Sequence, residues 1–143
     1  EIAMKTSARN QFAGIIVSIL PGPVNDEIVI RINDKLELVS SITHESCEEL
    51  QLDIGSKIFA LIKASAVSVK PAGQGALQLQ KNEFPGVAHK IISGEGRTEI
   101  AVRLDGDMDL IATVPEQSET EWTSGAEVIA RIEASSVIIG VAA

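Results

Sequence analysis

The chain of 143 residues has room for one ordinary domain or two very small ones, and folding at this size removes roughly two-thirds of the unfolded surface from water. A hydrophobic content of 45% with only 3% aromatic residues calls for a core of Val, Ile, Leu and Ala, a filling that suits sheets. The net charge of -8 excludes broad, sequence-independent binding to nucleic acid, and the single cysteine, Cys47, excludes an internal disulfide framework or a cysteine-rich metal site.

A reducing, cytoplasmic setting is therefore expected. No apolar run approaches a membrane span, and Glu1-Ile2-Ala3-Met4 lacks a signal-peptide pattern. A start at Glu rather than Met suggests a piece of a longer protein. An acidic chain still binds a small anion where a few cations and backbone N–H groups concentrate, so its rare cations matter individually.

In chain order, the apolar run from Phe12 to Leu20 reads as a strand that Pro21-Gly22-Pro23 stops. Glu27 to Ile32 alternates, and Lys35 to Val39 alternates again after the two-residue link Asn33-Asp34, which predicts a hairpin. Thr43 is placed to cap a short helix whose first half is favoured by Glu45, Glu48 and Glu49, and Gly55 limits that helix to about two turns. Lys57 to Lys63 reads as a buried strand, and Ser65 to Val69 as a fifth. Pro71 to Gly75 form a linker.

The same order then repeats. Asn82-Glu83-Phe84-Pro85-Gly86 echoes Asn10-Gln11-Phe12-Ala13-Gly14 at an offset of 72 (14 to 86), and Ile132 to Val137 echoes Ile62 to Val67 at an offset of 70 (67 to 137). Gly94-Glu95-Gly96 replaces the first turn, Asp105-Gly106-Asp107 the hairpin, and Thr113-Val114-Pro115-Glu116 is expected to open the second short helix, Pro suiting a first turn. This organisation predicts an all-β protein with short helices. Two tandem OB-like, five-stranded antiparallel barrels divide at residues 1–70 and 71–143, with a single sandwich as the alternative.

Catalytic machinery is not evident: His44 and His89 lie far apart, and neither a phosphate loop nor metal-ligand spacing occurs. Three segments of the first unit gather donors at element ends, where an anion finds free N–H groups: Ser7 and Arg9, then Thr43 and Ser46, then Lys63 with Ser65. Read singly, these are a cap, turn residues and surface cations.

Together, Lys-Thr-Ser-Ala-Arg-Asn-Gln at 5–11, Ile-Thr-His-Glu-Ser at 42–46 and Leu-Ile-Lys-Ala-Ser at 61–65 resemble the Mop, or molbindin (TOBE-like), family of molybdate-binding modules, over the whole chain as two tandem copies. The resemblance implies a non-enzymatic protein whose modules exchange strands and hold molybdate or tungstate at a module–module interface. It makes Ser7, Arg9, Lys63, Ala64 and Ser65 oxyanion-binding candidates from one chain, and Thr43 and Ser46 candidates from its partner, with backbone around Ala8 also donating.

The second unit departs from the pattern. Leu79 stands for Ser7, Lys81 for Arg9, Pro115 for Thr43 and Glu133 for Lys63, leaving Ser118 matched to Ser46. A buried carboxylate at 133 would repel an oxyanion, so the second module is expected to be structural. That degeneracy resembles the C-terminal effector region of ModE-type molybdate-responsive transcription regulators. A homodimer is then expected, with DNA contacted only through a winged helix-turn-helix absent from this sequence. A cytoplasmic storage molbindin, an OB-type nucleic-acid module and the regulatory tail of a transporter ATPase are the alternatives, and acidity with scarce aromatics opposes the nucleic-acid reading.

Overall fold

The computed structural model describes residues 8–73, 79–116 and 121–142. In the first half, β1 (Asn10–Leu20), β2 (Asn25–Asn33) and β3 (Leu36–Thr43) form an antiparallel meander, followed by the six-residue helix α1 (His44–Glu49) and β4 (Lys57–Ile62), which returns alongside β1. A 3-10 turn at Ala64–Ala66 leads into β5 (Val67–Pro71). The second half repeats the course as β6 (Glu83–Gly94), β7 (Arg97–Leu104), β8 (Met108–Pro115) and β9 (Ala126–Ile132), then a 3-10 turn at Ala134–Ser136 and β10 (Ile138–Gly140).

The described strands make two five-stranded antiparallel sheets, and each sheet borrows its last strand from the other half. Their orders are β10-β4-β1-β2-β3 and β5-β9-β6-β7-β8. Val67 in β5 stands opposite Ile132 in β9, and Ile139 in β10 opposite Ala60 in β4. The all-β architecture and five strands per sheet match the sequence expectation, but the sheets cross the division between residues 70 and 71.

Local features explain the curl of each sheet. A bulge in β1 between Ile16 and Ser18 recurs in β6 between Ala88 and Lys90, and such an extra residue bends a strand and raises its twist. Gly14 and Gly86 lie at the same place in each repeat: a Cβ on Gly14 would come within 2.5 Å of Ile30 Cγ2, and one on Gly86 within 2.7 Å of the Arg103 carbonyl. Only glycine lets the strands approach so closely there.

Three expectations change. The hairpin turn is Asp34-Lys35 rather than Asn33-Asp34, because the Asn33 side chain accepts the Lys35 N–H at 2.8 Å and folds the chain one residue later. Ser65 and Ala66 belong to the 3-10 turn and not to a strand. Thr113, Val114 and Pro115 finish β8 instead of opening a helix, since the edge of β7 continues to pair them: Glu99 with Thr113, Thr98 with Val114 and Arg97 with Pro115.

One apolar core runs through both halves. Ile16, Ile28, Ile30, Ile58 and Ile62 fill the first sheet, and Ile100, Val102, Leu110 and Val128 the second. Val67 and Val137, which open the two exchanged segments, are 2% and 1% exposed, and each such burial contributes roughly 1.5–3 kcal/mol.

Two buried amides close the free strand edges between the halves. The Asn10 side chain donates to the Ile111 carbonyl at 2.9 Å and accepts the Ile111 N–H at 2.7 Å, and its amide nitrogen also donates to the Ile62 carbonyl at 3.2 Å. Asn82, its counterpart, donates to the Val39 carbonyl at 2.7 Å and accepts the Val39 N–H at 2.8 Å. Ile111 and Val39 lie in β8 and β3, the outer strands of the two sheets. A side-chain amide carries the same donor and acceptor pair as a peptide, so it ends a strand edge as a further strand would.

Replacing either amide leaves a backbone N–H and carbonyl without these partners. Asn10→Ala and Asn82→Ala are each expected to cost about 1–3 kcal/mol in chemical denaturation. Asn82→Asp, which sets a carboxylate against the Val39 carbonyl, should cost at least as much as Asn82→Ala.

Candidate functional site

The candidate residues fall into two groups on different elements. The β1–β4 pairing closes with Asn10 opposite Ile62, so continuing the register by one residue sets Arg9 opposite Lys63. Lys63 caps the 3-10 turn with extended backbone (φ -69°, ψ 141°), which puts buried Ala64 and exposed Ser65 in that turn's first positions. Ala8 is buried beside them, and Ser7 lies outside the described residues. This group faces the second half: the 3-10 turn packs against β8, and Arg9 Nη1 reaches Glu99 Oε1 in β7 at 2.5 Å.

The second group is the start of α1. Thr43 caps the helix, its Oγ1 accepting the Ser46 N–H at 3.1 Å and lying 2.8 Å from the Ser46 hydroxyl. The helix packs on β2 and β3, with the His44 N–H donating to the Val24 carbonyl at 2.9 Å. Within one chain, therefore, Thr43 and Ser46 do not share packing partners with Arg9 and Lys63.

Sequence reasoning missed what holds α1. Asp26, 2% exposed, accepts from His44 Nδ1 at 2.9 Å and from the Gly22 N–H at 3.3 Å. His44 Nε2 lies 2.9 Å from Glu48. Burial raises the pKa of Asp26, but the hydrogen bonds from His44 and Gly22 outweigh it and leave the carboxyl below its ordinary 3.8. The hydrogen bond and charge of Asp26, with the charge of Glu48, hold His44 above 6.5. Cys47 is buried and its thiol is pushed up by desolvation, which suits a small core residue better than a nucleophile. The signal for Asp26 was present: it shares the alternation of Ile28 and Ile30, which marks it as inward-facing.

The second half keeps the frame but replaces Ser7, Arg9, Thr43 and Lys63. Lys81 pairs with Glu27 as Arg9 pairs with Glu99, and Pro115 ends β8 where Thr43 ends β3. Glu133 caps its 3-10 turn like Lys63 but is not buried: its side chain is exposed and lies 3.1 Å from Arg131. Leu79 is exposed, and Ser118 falls outside the described residues. Clefts open at matching places in the two repeats, and the first of them also takes lining from the other half. One, of about 410 Å³, is lined by Asn25, Ser41, Lys81 and Ala134; the other, of about 320 Å³, by Arg97, Glu99 and Thr113.

The TOBE domain model matches residues 6–69 and again 80–139. The molybdenum transport protein ModE of Azotobacter vinelandii is 34% identical over 143 residues, covering 98% of this chain and 52% of that protein. The DNA-binding transcriptional dual regulator ModE of Escherichia coli (strain K12) is 33% identical over 138 residues, covering 96% and 52%. The chain thus spans about half the length of these curated relatives. Among solved structures, the cytoplasmic molybdate-binding protein ModG, with molybdate bound, superposes with a TM-score of 0.87 at 32% identity, covering 96% of this chain and 99% of that one.

The Asp26–His44 pair carries a pH signature. Asp26, with its lowered pKa, stabilises the fold above its ordinary value and loses that contribution as pH falls through the lowered one; His44, with its raised pKa, contributes fully below 6.5 and loses its share as pH rises through the raised value. The stability gap between wild type and Asp26→Asn is therefore expected to be widest between about pH 4 and 6.5, narrowing on both sides in thermal melts.

Proposed function

The chain belongs to the TOBE domain family as a tandem pair, and from that premise we propose that it binds molybdate or tungstate at a site shared between two copies of the chain. Ser7, Arg9, Lys63, Ala64 and Ser65 come from one copy, and Thr43 and Ser46 from the other. A tetrahedral dianion gains most from charge-assisted bonds within a ring of neutral donors, and this set supplies two cations, hydroxyls and backbone N–H groups at the start of a 3-10 turn.

The observation that carries the sharing is the mismatch inside one chain. Arg9 and the Lys63 turn face β7 and β8, where Glu99 is the partner of Arg9 and Pro115 stands at the position of Thr43. The Thr43–Ser46 cap belongs to a rim whose neighbouring cleft is lined by Lys81 and Ala134. Each competent half thus meets a degenerate one within the chain, and a second copy supplies the complement. Molybdate bound by the similar ModG supports the identity of the anion.

The role that follows is effector sensing and dimer formation in a molybdate-dependent transcription regulator, with DNA contacted by a separate N-terminal domain. The extent of similarity to the ModE regulators and the single competent module both favour it. An anion bridging two chains shifts the dimer toward whichever arrangement binds it better. Cytoplasmic storage is the second reading, favoured by the end-to-end match to ModG.

Titration calorimetry with molybdate, tungstate and sulfate tests the proposal. Heat is expected with molybdate or tungstate at one anion per chain for the sensor, and at more than one for a store. Absence of heat with all three would overturn it. Arg9→Ala and Lys63→Ala should each weaken binding by about 1–3 kcal/mol, whereas Lys81→Ala should leave affinity nearly unchanged. Equal losses at Arg9 and Lys81 would contradict the degenerate second module.

A further inference from the structure

We propose that His44, clamped between Asp26 and Glu48, is a positioning residue for the oxyanion site: as an imidazolium it locks the Thr43–Ser46 cap in its binding geometry, and its deprotonation weakens anion binding. The inference rests on the reading of Thr43 and Ser46 as anion ligands given above.

The geometry calls for the charged ring. Nδ1 lies 2.9 Å from one carboxylate oxygen of Asp26 and Nε2 lies 2.9 Å from Glu48. A neutral imidazole donates through one nitrogen only and turns a lone pair toward the other carboxylate, whereas the imidazolium donates through both. These two bonds tie α1 to β2 and to its own second turn. His44 directly follows Thr43, whose hydroxyl lies 2.8 Å from that of Ser46, so a shift of the ring carries the hydroxyl pair with it.

The charged surroundings are acidic on both elements that pack there. From β2 comes Asp26, fixed by the Gly22 N–H, from α1 comes Glu48, and Asp53 after the helix lines the same cleft, while the buried Cys47 thiol is pushed up by desolvation. Those carboxylates repel a like-signed anion at the Thr43–Ser46 cap, and a protonated His44, next in sequence to Thr43, offsets that repulsion.

The second module gives an internal control. Where Asp26 stands in the first half the repeat has Thr98, bonded to the Ser93 hydroxyl at 3.3 Å, and where His44 stands it has Glu116. The clamp and the capping hydroxyl disappear together, since Pro115 replaces Thr43 in that same copy. The clamp is thus found in the copy that carries the capping hydroxyl.

Calorimetric titration with molybdate at pH 6 and pH 8.5, on wild type and His44→Gln, tests this. Wild type is expected to bind about three- to tenfold more weakly at pH 8.5, and His44→Gln to bind at both pH values about as weakly as wild type at pH 8.5. Since His44 is half exposed, His44→Gln should fold, and a cooperative melt checks that, with the melting temperature below that of wild type at pH 6 and approaching it at pH 8.5; Asp26→Asn should flatten the same slope. If His44→Gln keeps both the affinity and the pH slope of wild type, the inference is overturned while molybdate binding stands. If wild type takes up no molybdate at either pH, the shared-site reading falls, and the inference with it.

Discussion

The exchange of one strand between two sheets is the constraint on which the rest of this molecule depends. A five-stranded sheet of this kind leaves an outer strand with unpaired peptide groups, and here each half must borrow a strand to reach five. The exchanged segments bring Val67 and Val137 into a core shared by both halves, and the Asn10 and Asn82 amides end β8 and β3 from across the interface. Ser40 adds a buried hydrogen bond to the Val137 carbonyl at 2.7 Å, tying β3 to the returning segment. The interface between halves is thus made of backbone recognition and buried aliphatic surface, neither of which requires a particular ligand chemistry.

That separation lets the two copies diverge. Features that serve the frame appear twice: the bulges, the close-approach glycines, the amides, and the ion pairs Arg9–Glu99 and Lys81–Glu27. Several of the donors proposed for an anion appear once. Lys63 has become Glu133 and Thr43 has become Pro115 without altering the 3-10 turn or the end of the strand. An ion pair at this interface persists with either Arg or Lys, but the guanidinium stands at this position in the first copy alone.

Much of this was legible in the sequence because the repeat carries its own register. The strands, the capped helix and the linked turns followed from alternation, Pro-Gly stops and Thr43. Which sheet β5 and β10 join was not legible, because Val67–Pro71 and Ile138–Gly140 have the same apolar alternation whether they close their own sheet or the other. Pro115 misled for a related reason: it suits a helix start in isolation, yet an edge strand tolerates it equally well. The role of Asn10 and Asn82 was visible only as an echo, since an amide that completes a distant strand edge has no local signature. Asp26 was readable as inward-facing, but its partner lies 18 residues away on another element.

The crossing of β5 and β10 also orders the birth of the fold. The first sheet lacks an edge strand until Ile138–Gly140 arrives, so the first half cannot finish when its own residues are complete and must wait for the second half to be synthesised. During that interval β5 is a strand without a sheet, and β4 presents an open edge to any passing copy of the same chain. A nascent chain that meets another at this stage can trade strands with it as readily as with itself. The architecture therefore makes the order of synthesis part of how the two sheets close.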